Sequence, residues 1–299
     1  MARGTSSSGW TTRLVVEPGG TVSAQLSSDA FVVEEPMEIR LDGHLVATTM
    51  RTPGHDYELA VGFCHSEGLL VGAPVRSVRY CATGPAAATG YNVVTVSTDG
   101  RAPAPTARLQ TTSSSCGLCG SASLETLTDR LRPLPQPPPA VELTVLGAVA
   151  AAVRVRQALF ARTGSIHAAA EFDPASGAVG TVREDIGRHN AVDKVVGARL
   201  LSGAGLPATG RGLFVSGRAS FEIVQKAWAA GFGLVAAVSG PSSLAVEAAR
   251  TAGLVLVGFL RGDAGRPASA NIYAPDPQAR AGGPYRVCDG TGRSVVEAP

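Results

Sequence analysis

No apolar run in these 299 residues approaches the ~20 that a membrane helix needs, and the opening Met1 to Ser8 lacks the apolar core of a secretory signal. Charge is nearly balanced: 26 Lys and Arg oppose 24 Asp and Glu, a formal net charge of +2. No bulk field therefore draws the chain to nucleic acid or to a membrane surface, and any phosphate recognition must come from local basic clusters. Neither a Walker loop nor a dinucleotide fingerprint is present. Cysteine is scarce and odd in number, five in all, which fits reduced thiols better than a disulfide framework. These absences predict a cytoplasmic protein with no nucleic-acid and no membrane partner. What is present, 44% hydrophobic residues over this length, suffices for one large core or two ordinary ones.

Two of the five cysteines fall together, in Ser113-Ser114-Ser115-Cys116-Gly117-Leu118-Cys119-Gly120. A thiol reacts as thiolate, and its pKa falls from ~8.5 beside a helix start or a cation. Three kinds of chemistry fit the pair. A structural zinc site needs four ligands, but Cys64, Cys81 and Cys288 are scattered, so zinc would have to recruit distant groups such as His167 or His189. A thioredoxin-like redox pair follows a buried strand, whereas Thr111 to Ser115 is polar and reads as loop. A sulfur carrier would hold a sulfane sulfur on Cys116 as a persulfide, with glycines admitting donor and acceptor and Cys119 assisting, resolving or protecting it. Against all three stands a bland structural pair.

Punctuation divides the chain. Residues 1–28 are rich in Ser, Thr and Gly and read as a flexible tail. Residues 29–110 read as a small α+β domain: a hairpin around Asp42-Gly43, a helix from Asp56 to Leu70 with Asp56 as its cap, and strands at Val75 to Cys81 and Tyr91 to Ser97. The cysteine loop and a Pro-rich linker occupy 111–140, and a C-terminal tail occupies 276–299. Between them, residues 141–275 open with an apolar helix from Leu143 to Phe160 and a hairpin from Ser165 to Arg183. Helix and strand then alternate through Leu254 to Phe259, which predicts an α/β layered sheet with flanking helices.

Ligands of such sheets bind at the carboxyl ends of strands, where helix starts present backbone donors. Arg188 and His189 follow one predicted strand, and Arg218, in Ser216-Gly217-Arg218-Ala219-Ser220, follows another. Ser239-Gly240-Pro241-Ser242-Ser243 repeats the pattern without arginine. Singly, each reads equally well as a helix cap or solvated salt bridge, and His167 in an apolar strand reads first as a core histidine.

Several blocks together resemble a known family. Glu34-Glu35-Pro36-Met37, Gly62 to Gly68, the Ser-Cys-Gly-Leu-Cys-Gly loop, Glu184 to Lys194, Ser216 to Glu222 and Leu256-Val257-Gly258-Phe259 are similar, in the same order over residues 30–275, to the formate dehydrogenase accessory sulfurtransferases, FdhD/NarQ-like sulfur carriers. The resemblance implies a sulfurtransferase that accepts sulfur from a cysteine desulfurase as a persulfide on Cys116. It would pass that sulfur to the molybdenum cofactor, a Mo-bis-molybdopterin guanine dinucleotide bound as substrate, before insertion into formate dehydrogenase. Cys119 matches the second loop cysteine. The cofactor-binding stretch maps to Phe259, Leu260, Arg261, Gly262, Asp263 and Ala264, and the phosphates give Arg188, Arg218 and Arg261 a reason to converge. The family further implies a cytidine deaminase-like fold for the larger unit, a homodimer, and no tightly held metal of its own. Deamination is not expected, since His65-Ser66-Glu67 sits in the small unit and Cys116 is preceded by serine rather than proline. Two other classes remain open: a cofactor chaperone without sulfur chemistry, and a zinc-binding interaction protein.

Overall fold

The computed structural model describes residues 4–81, 89–105, 131–134, 141–262, 268–274 and 287–288. Cys116 and Cys119, with most of the 111–140 segment, lie outside the described residues, as do Asp263 and Ala264.

Regular structure begins earlier than composition predicts. In place of a flexible tail over 1–28, Ser6–Val16 (β1) and Val22–Val32 (β2) form an antiparallel hairpin, paired from Ser6↔Val32 to Val16↔Val22. The signal was there under the Ser/Thr/Gly bias. Trp10, Thr12, Leu14 and Val16 alternate with the period of a strand, and Gly19 and Gly20, at φ 112° and 87°, supply the turn.

Glu35–Leu41 (β3) and His44–Arg51 (β4) pair around Asp42-Gly43, whose φ values of 47° and 91° are the left-handed pair that a two-residue hairpin requires. Asp56–Ser66 (α1) packs on this sheet, which Ser77–Tyr80 (β5) and Val93–Ser97 (β6) complete in the order β4-β3-β6-β5. Met37, Ile39 and Leu41 turn inward at every second residue to meet Leu59, Ala60, Val94 and Val96. Asp56 is the first helical residue rather than the cap, which is His55 in the left-handed region. The Asp56 carboxylate is engaged elsewhere: buried Arg51 donates to it at 3.1 and 2.9 Å, and the Tyr80 hydroxyl at 3.1 Å.

Val141–Glu142 (β7) leads into Leu143–Arg156 (α2) and Ala158–Thr163 (α3), two helices where the apolar pattern predicts one. His167–Phe172 (β8), Val179–Asp185 (β9), Arg188–Leu201 (α4), Gly212–Val215 (β10), Phe221–Ala230 (α5), Leu234–Ala237 (β11), Ser243–Ala252 (α6), Val255–Arg261 (β12) and Ser269–Ala274 (β13) follow. Their strands form one six-stranded sheet in the order β13-β12-β11-β10-β8-β9. Val287–Cys288 (β14), inside the expected C-terminal tail, pairs with β7. Leu213, Val215, Val235 and Ala237 bury one sheet face among residues of α4, α5 and α6, while Phe214, Leu234 and Ala236 bury the other against Leu146, Val149 and Val153 of α2. Strands apolar on both faces, covered by helices on both, give the α/β layering that the alternation predicts.

The two units are fused through α1 and α4. A Cβ on Gly62 would lie 1.8 Å from the Asp193 carbonyl oxygen, and one on Gly197 1.8 Å from that of Glu58, so glycine at both positions lets the backbones touch. The chain's only two lysines are sealed at this junction. Lys194 Nζ lies 2.7 Å from Asp185 Oδ2, and Lys226 Nζ donates to both Asp193 oxygens, at 3.1 and 2.9 Å, and to Glu67 Oε1 at 2.9 Å. A single unpaired charge here would cost several kcal/mol, so these pairs fix the mutual register of α1, α4 and α5. No helix of the described residues is long and apolar enough to cross a membrane.

Candidate functional site

Sheet direction assembles the site. Strands β10, β11 and β12 are parallel, so their carboxyl ends share one edge. Because β8 runs antiparallel to β10, its first residue, His167, lies at that edge, and its register partner Asp185 ends β9 there too. The edge therefore gathers His167, the Asp185 to Arg188 turn, Ser216 to Arg218, Val238 to Gly240, and Phe259 to Gly262.

Each turn is held by a specific bond. Asp185 accepts from the Gly187 N–H at 2.8 Å and from Asn190 Nδ2 at 3.0 Å, which sets the path into α4. Ser216 Oγ accepts from Ala168 N at 2.8 Å. Gly217 lies against the imidazole: a Cβ there would be 3.3 Å from His167 Nδ1 and 3.8 Å from Arg188 Cδ. Phe259 has φ 51° within a register irregularity of β12, and its ring lies over Gly240. Arg261 reaches back to donate to the carbonyls of Val238 and Leu260, at 2.5 and 2.9 Å, and so ties the ends of β11 and β12 together.

Beside this edge opens a cleft of about 710 Å³, within the range typical of small-ligand sites. Its floor is Ile166, His167, Ile186, Phe214, Ser216 and Val238. Leu260, Arg261 and Gly262 line it from the end of β12. Arg154, Gln157 and Phe160 form the flank contributed by the α2–α3 junction. The Arg154 guanidinium stacks 3.9 Å over the Phe160 ring. Glu184 clamps that ring's backbone, its carboxylate accepting from Leu159 N at 3.0 Å and Phe160 N at 2.8 Å. Sequence reading missed this flank because the apolar stretch concealed the break at Gln157. The Arg154, Arg156 and Gln157 interruption was the available signal.

The expected site residues separate into two groups. Arg261, Leu260 and Gly262 line the cleft, and Arg188 and Arg218 stand at His167. Burial and the adjacent Arg188 and Arg218 guanidinium groups hold the His167 imidazole below its ordinary pKa, so it stays neutral. Arg188 Nε is buried without a partner among the described residues. Arg218 is exposed.

His189, expected to hold phosphate, does not line the cleft. Its Nε2 lies 3.3 Å from Ser220 Oγ and 3.7 Å from Glu222 Oε2. Burial, then Arg188 and Lys226, depress its pKa to about 4, so near neutral pH it offers no positive charge. Helix α4 points Arg188 and His189 to different sides of its first turn, which adjacency in sequence did not reveal.

No described thiol serves this site. Cys64 is fully buried, and burial together with Asp193 pushes its pKa upward, which leaves it inert. Cys81 is buried with Sγ 2.9 Å from Thr89 Oγ1. Among the described residues no three His, Cys, Asp or Glu side chains are grouped to hold a metal. The described cleft thus combines apolar walls with arginine side chains, and no described thiol lines it.

Comparison with known proteins finds relatives over most of the chain. A sequence profile of the FdhD/NarQ family matches residues 32–279. The sulfur carrier protein FdhD of Streptomyces avermitilis is 48% identical over 262 residues, covering 85% of this chain and 90% of that protein. That of Mycolicibacterium paratuberculosis is 49% identical over 252 residues, covering 82% and 90%. The crystal structure of a candidate formate dehydrogenase accessory protein from Desulfotalea psychrophila superposes with a TM-score of 0.65 at 24% identity, over 90% of this chain and 98% of that one, and shows the fold to be shared.

Proposed function

The chain belongs to the FdhD/NarQ family, and from that premise we propose that it is a sulfur carrier that serves formate dehydrogenase. Cys116 is the carrying residue. Its thiolate attacks the outer sulfur of a cysteine desulfurase persulfide, the donor S–S bond breaks, the donor thiolate leaves, and Cys116 retains the sulfane sulfur. Delivery of that sulfur as sulfide takes up two electrons, which the Cys119 thiolate supplies as a Cys116–Cys119 disulfide closes. The acceptor is the molybdenum of the bis-molybdopterin guanine dinucleotide, bound here as substrate before it passes to formate dehydrogenase. We read the working protein as a cytoplasmic homodimer whose larger unit is cytidine deaminase-like without deaminase chemistry.

The observation that carries the reading is the cleft at the strand ends. Arg261 lines it, and Arg188 and Arg218 stand at its His167 wall. An orphaned guanidinium N–H, a neutral histidine and exposed arginines suit phosphate oxygens, which bind best to planar, permanently charged donors. The test is intact mass under non-reducing conditions after incubation with a cysteine desulfurase and cysteine. The wild type gains one reductant-sensitive sulfur and Cys116→Ala gains none. Client activation by Cys116→Ala would replace the carrier with a chaperone.

A further inference from the structure

The β1–β2 hairpin has no part in that scheme. It is held to its own protomer at its base, where Val33 N donates to the Thr5 carbonyl at 3.1 Å and Arg162 donates to Ser6 Oγ. Residues directly opposite one another share a face, so the register sorts its side chains into two unlike surfaces. Trp10 lies opposite Ser28, Thr12 opposite Leu26, Leu14 opposite Ala24 and Val16 opposite Val22, which makes one face apolar and uncharged. Thr11, Arg13, Ser23, Gln25, Ser27 and Asp29 take the other. Trp10, Leu14, Val16, Val22 and Leu26 are between 59% and 74% exposed, so the apolar face stands open. A two-stranded hairpin alone is at best marginally stable in water, and a contiguous apolar patch of this kind marks an interaction surface.

We propose that this face is the interface between two copies of the chain, hairpin packed on hairpin about a two-fold axis. The proposal rests on the homodimer reading and names the surface and the residues that make it. A two-fold contact needs a self-complementary patch, and an uncharged apolar face meets itself without like-charge repulsion. A lipid surface is disfavoured, because the hairpin carries one positive charge, Arg13, against two negative ones, Glu17 and Asp29, and anionic headgroups attract basic segments. The size also fits. Eleven paired residues make a ribbon roughly 37 Å long and about 10 Å wide. Its side chains supply a large share of the ~800 Å² per partner that a standard interface buries. Stacked at the ~10 Å spacing of packed sheets, two such ribbons form a four-stranded sandwich around Trp10, Leu14 and Leu26.

The experiment is sedimentation velocity on the full-length protein over a range of concentrations. It compares the wild type with Leu14→Asp/Leu26→Asp, on the apolar face, and with Gln25→Asp, on the polar one. Thermal melts confirm that the variants fold. The wild type and Gln25→Asp should dimerise with the same dissociation constant, and the double variant at least about a hundredfold more weakly, since its carboxylates would be buried without partners. A second readout needs no disruptive change: acrylamide quenching of the fluorescence that Trp10→Phe removes. Trp10 should be shielded in the dimer and become quenchable on dilution, whereas the other tryptophan, Trp228, is buried within the protomer. A dimer that the double variant leaves intact, or one in which Trp10 stays quenchable, would overturn the proposal and spare the homodimer reading, with the copies joined elsewhere. A wild type that is monomeric at every concentration would overturn both and leave the sulfur-carrier reading standing. Flotation of a monomeric wild type with phosphatidylcholine–phosphatidylglycerol vesicles, lost in the double variant, would assign the face to lipid instead.

Discussion

The Lys194 ammonium lies 2.7 Å from the Asp185 carboxylate with both side chains sealed from water, and this pair fixes the turn from which Arg188 departs. The same lysine donates to the Thr52 carbonyl at 2.9 Å, and the same carboxylate accepts from Thr52 N at 3.2 Å. One ion pair therefore clamps the small unit to the helix start beside the cleft.

Breaking the pair on one side should be severe. Asp185→Asn or Lys194→Met should each cost ~3–5 kcal/mol, because each strands a buried charge. The double variant should cost less than the sum. Urea denaturation of the three variants checks this, and strict additivity would show that the two groups act independently.

The glycine crossing sets a packing limit. Gly62→Ala gains up to ~1 kcal/mol in helix propensity but drives a Cβ into the Asp193 carbonyl, and overpacking of this kind costs ~1–3 kcal/mol or more. A net loss of melting temperature is expected for Gly62→Ala and for Gly197→Ala. An unchanged melt would mean that the helices can separate freely.

His189 predicts acid sensitivity. Its folded pKa of about 4 lies below the ~6.5 of an unfolded histidine, so the unfolded state binds the proton first as pH falls. The stabilisation is complete above pH ~6.5 and declines toward pH 4, by about 2 kcal/mol at pH 5. Stability at pH 7 and 5 should therefore differ less in His189→Gln than in the wild type. Equal differences would assign the pH dependence to other groups.

Among the cysteines, burial separates bystander from carrier. Cys64→Ala should leave sulfur uptake unchanged, since that thiol is sealed, whereas Cys116→Ala should abolish it. Intact mass after desulfurase treatment reads both. Loss of uptake in a folded Cys64→Ala protein would refute the sealed-thiol account.

Arg261→Ala should weaken GDP by about tenfold, the loss of a charge-assisted contact, and the wild-type affinity should fall as salt rises. Titration at two ionic strengths measures both effects. Salt-independent binding would place the phosphates away from the guanidinium groups.

The parallel layering was legible because β10 and β11 are apolar at every position and are spaced by amphipathic helices, a pattern that only a doubly covered sheet satisfies. The Asp42-Gly43 hairpin was legible because only a few dipeptides accept its left-handed turn. The β1–β2 hairpin was misread because its strand alternation lies in a composition typical of loops. The α2–α3 break was misread because apolar residues on both sides of Arg154 to Gln157 carry a helical pattern across it.

The sequence by itself determined the family, the α/β class, the cysteine motif and the strand-end arginines, all of which are local patterns or ordered blocks. Only the tertiary structure decided which of those residues meet. It brought Arg188 and Arg218 to His167, turned His189 toward Ser220 and Glu222, and set Gln157 and the Arg154–Phe160 stack in the same cleft as Arg261. The reason is geometric. Neighbours in sequence diverge by about 100° around a helix, while residues a hundred apart converge when parallel strands end at one edge.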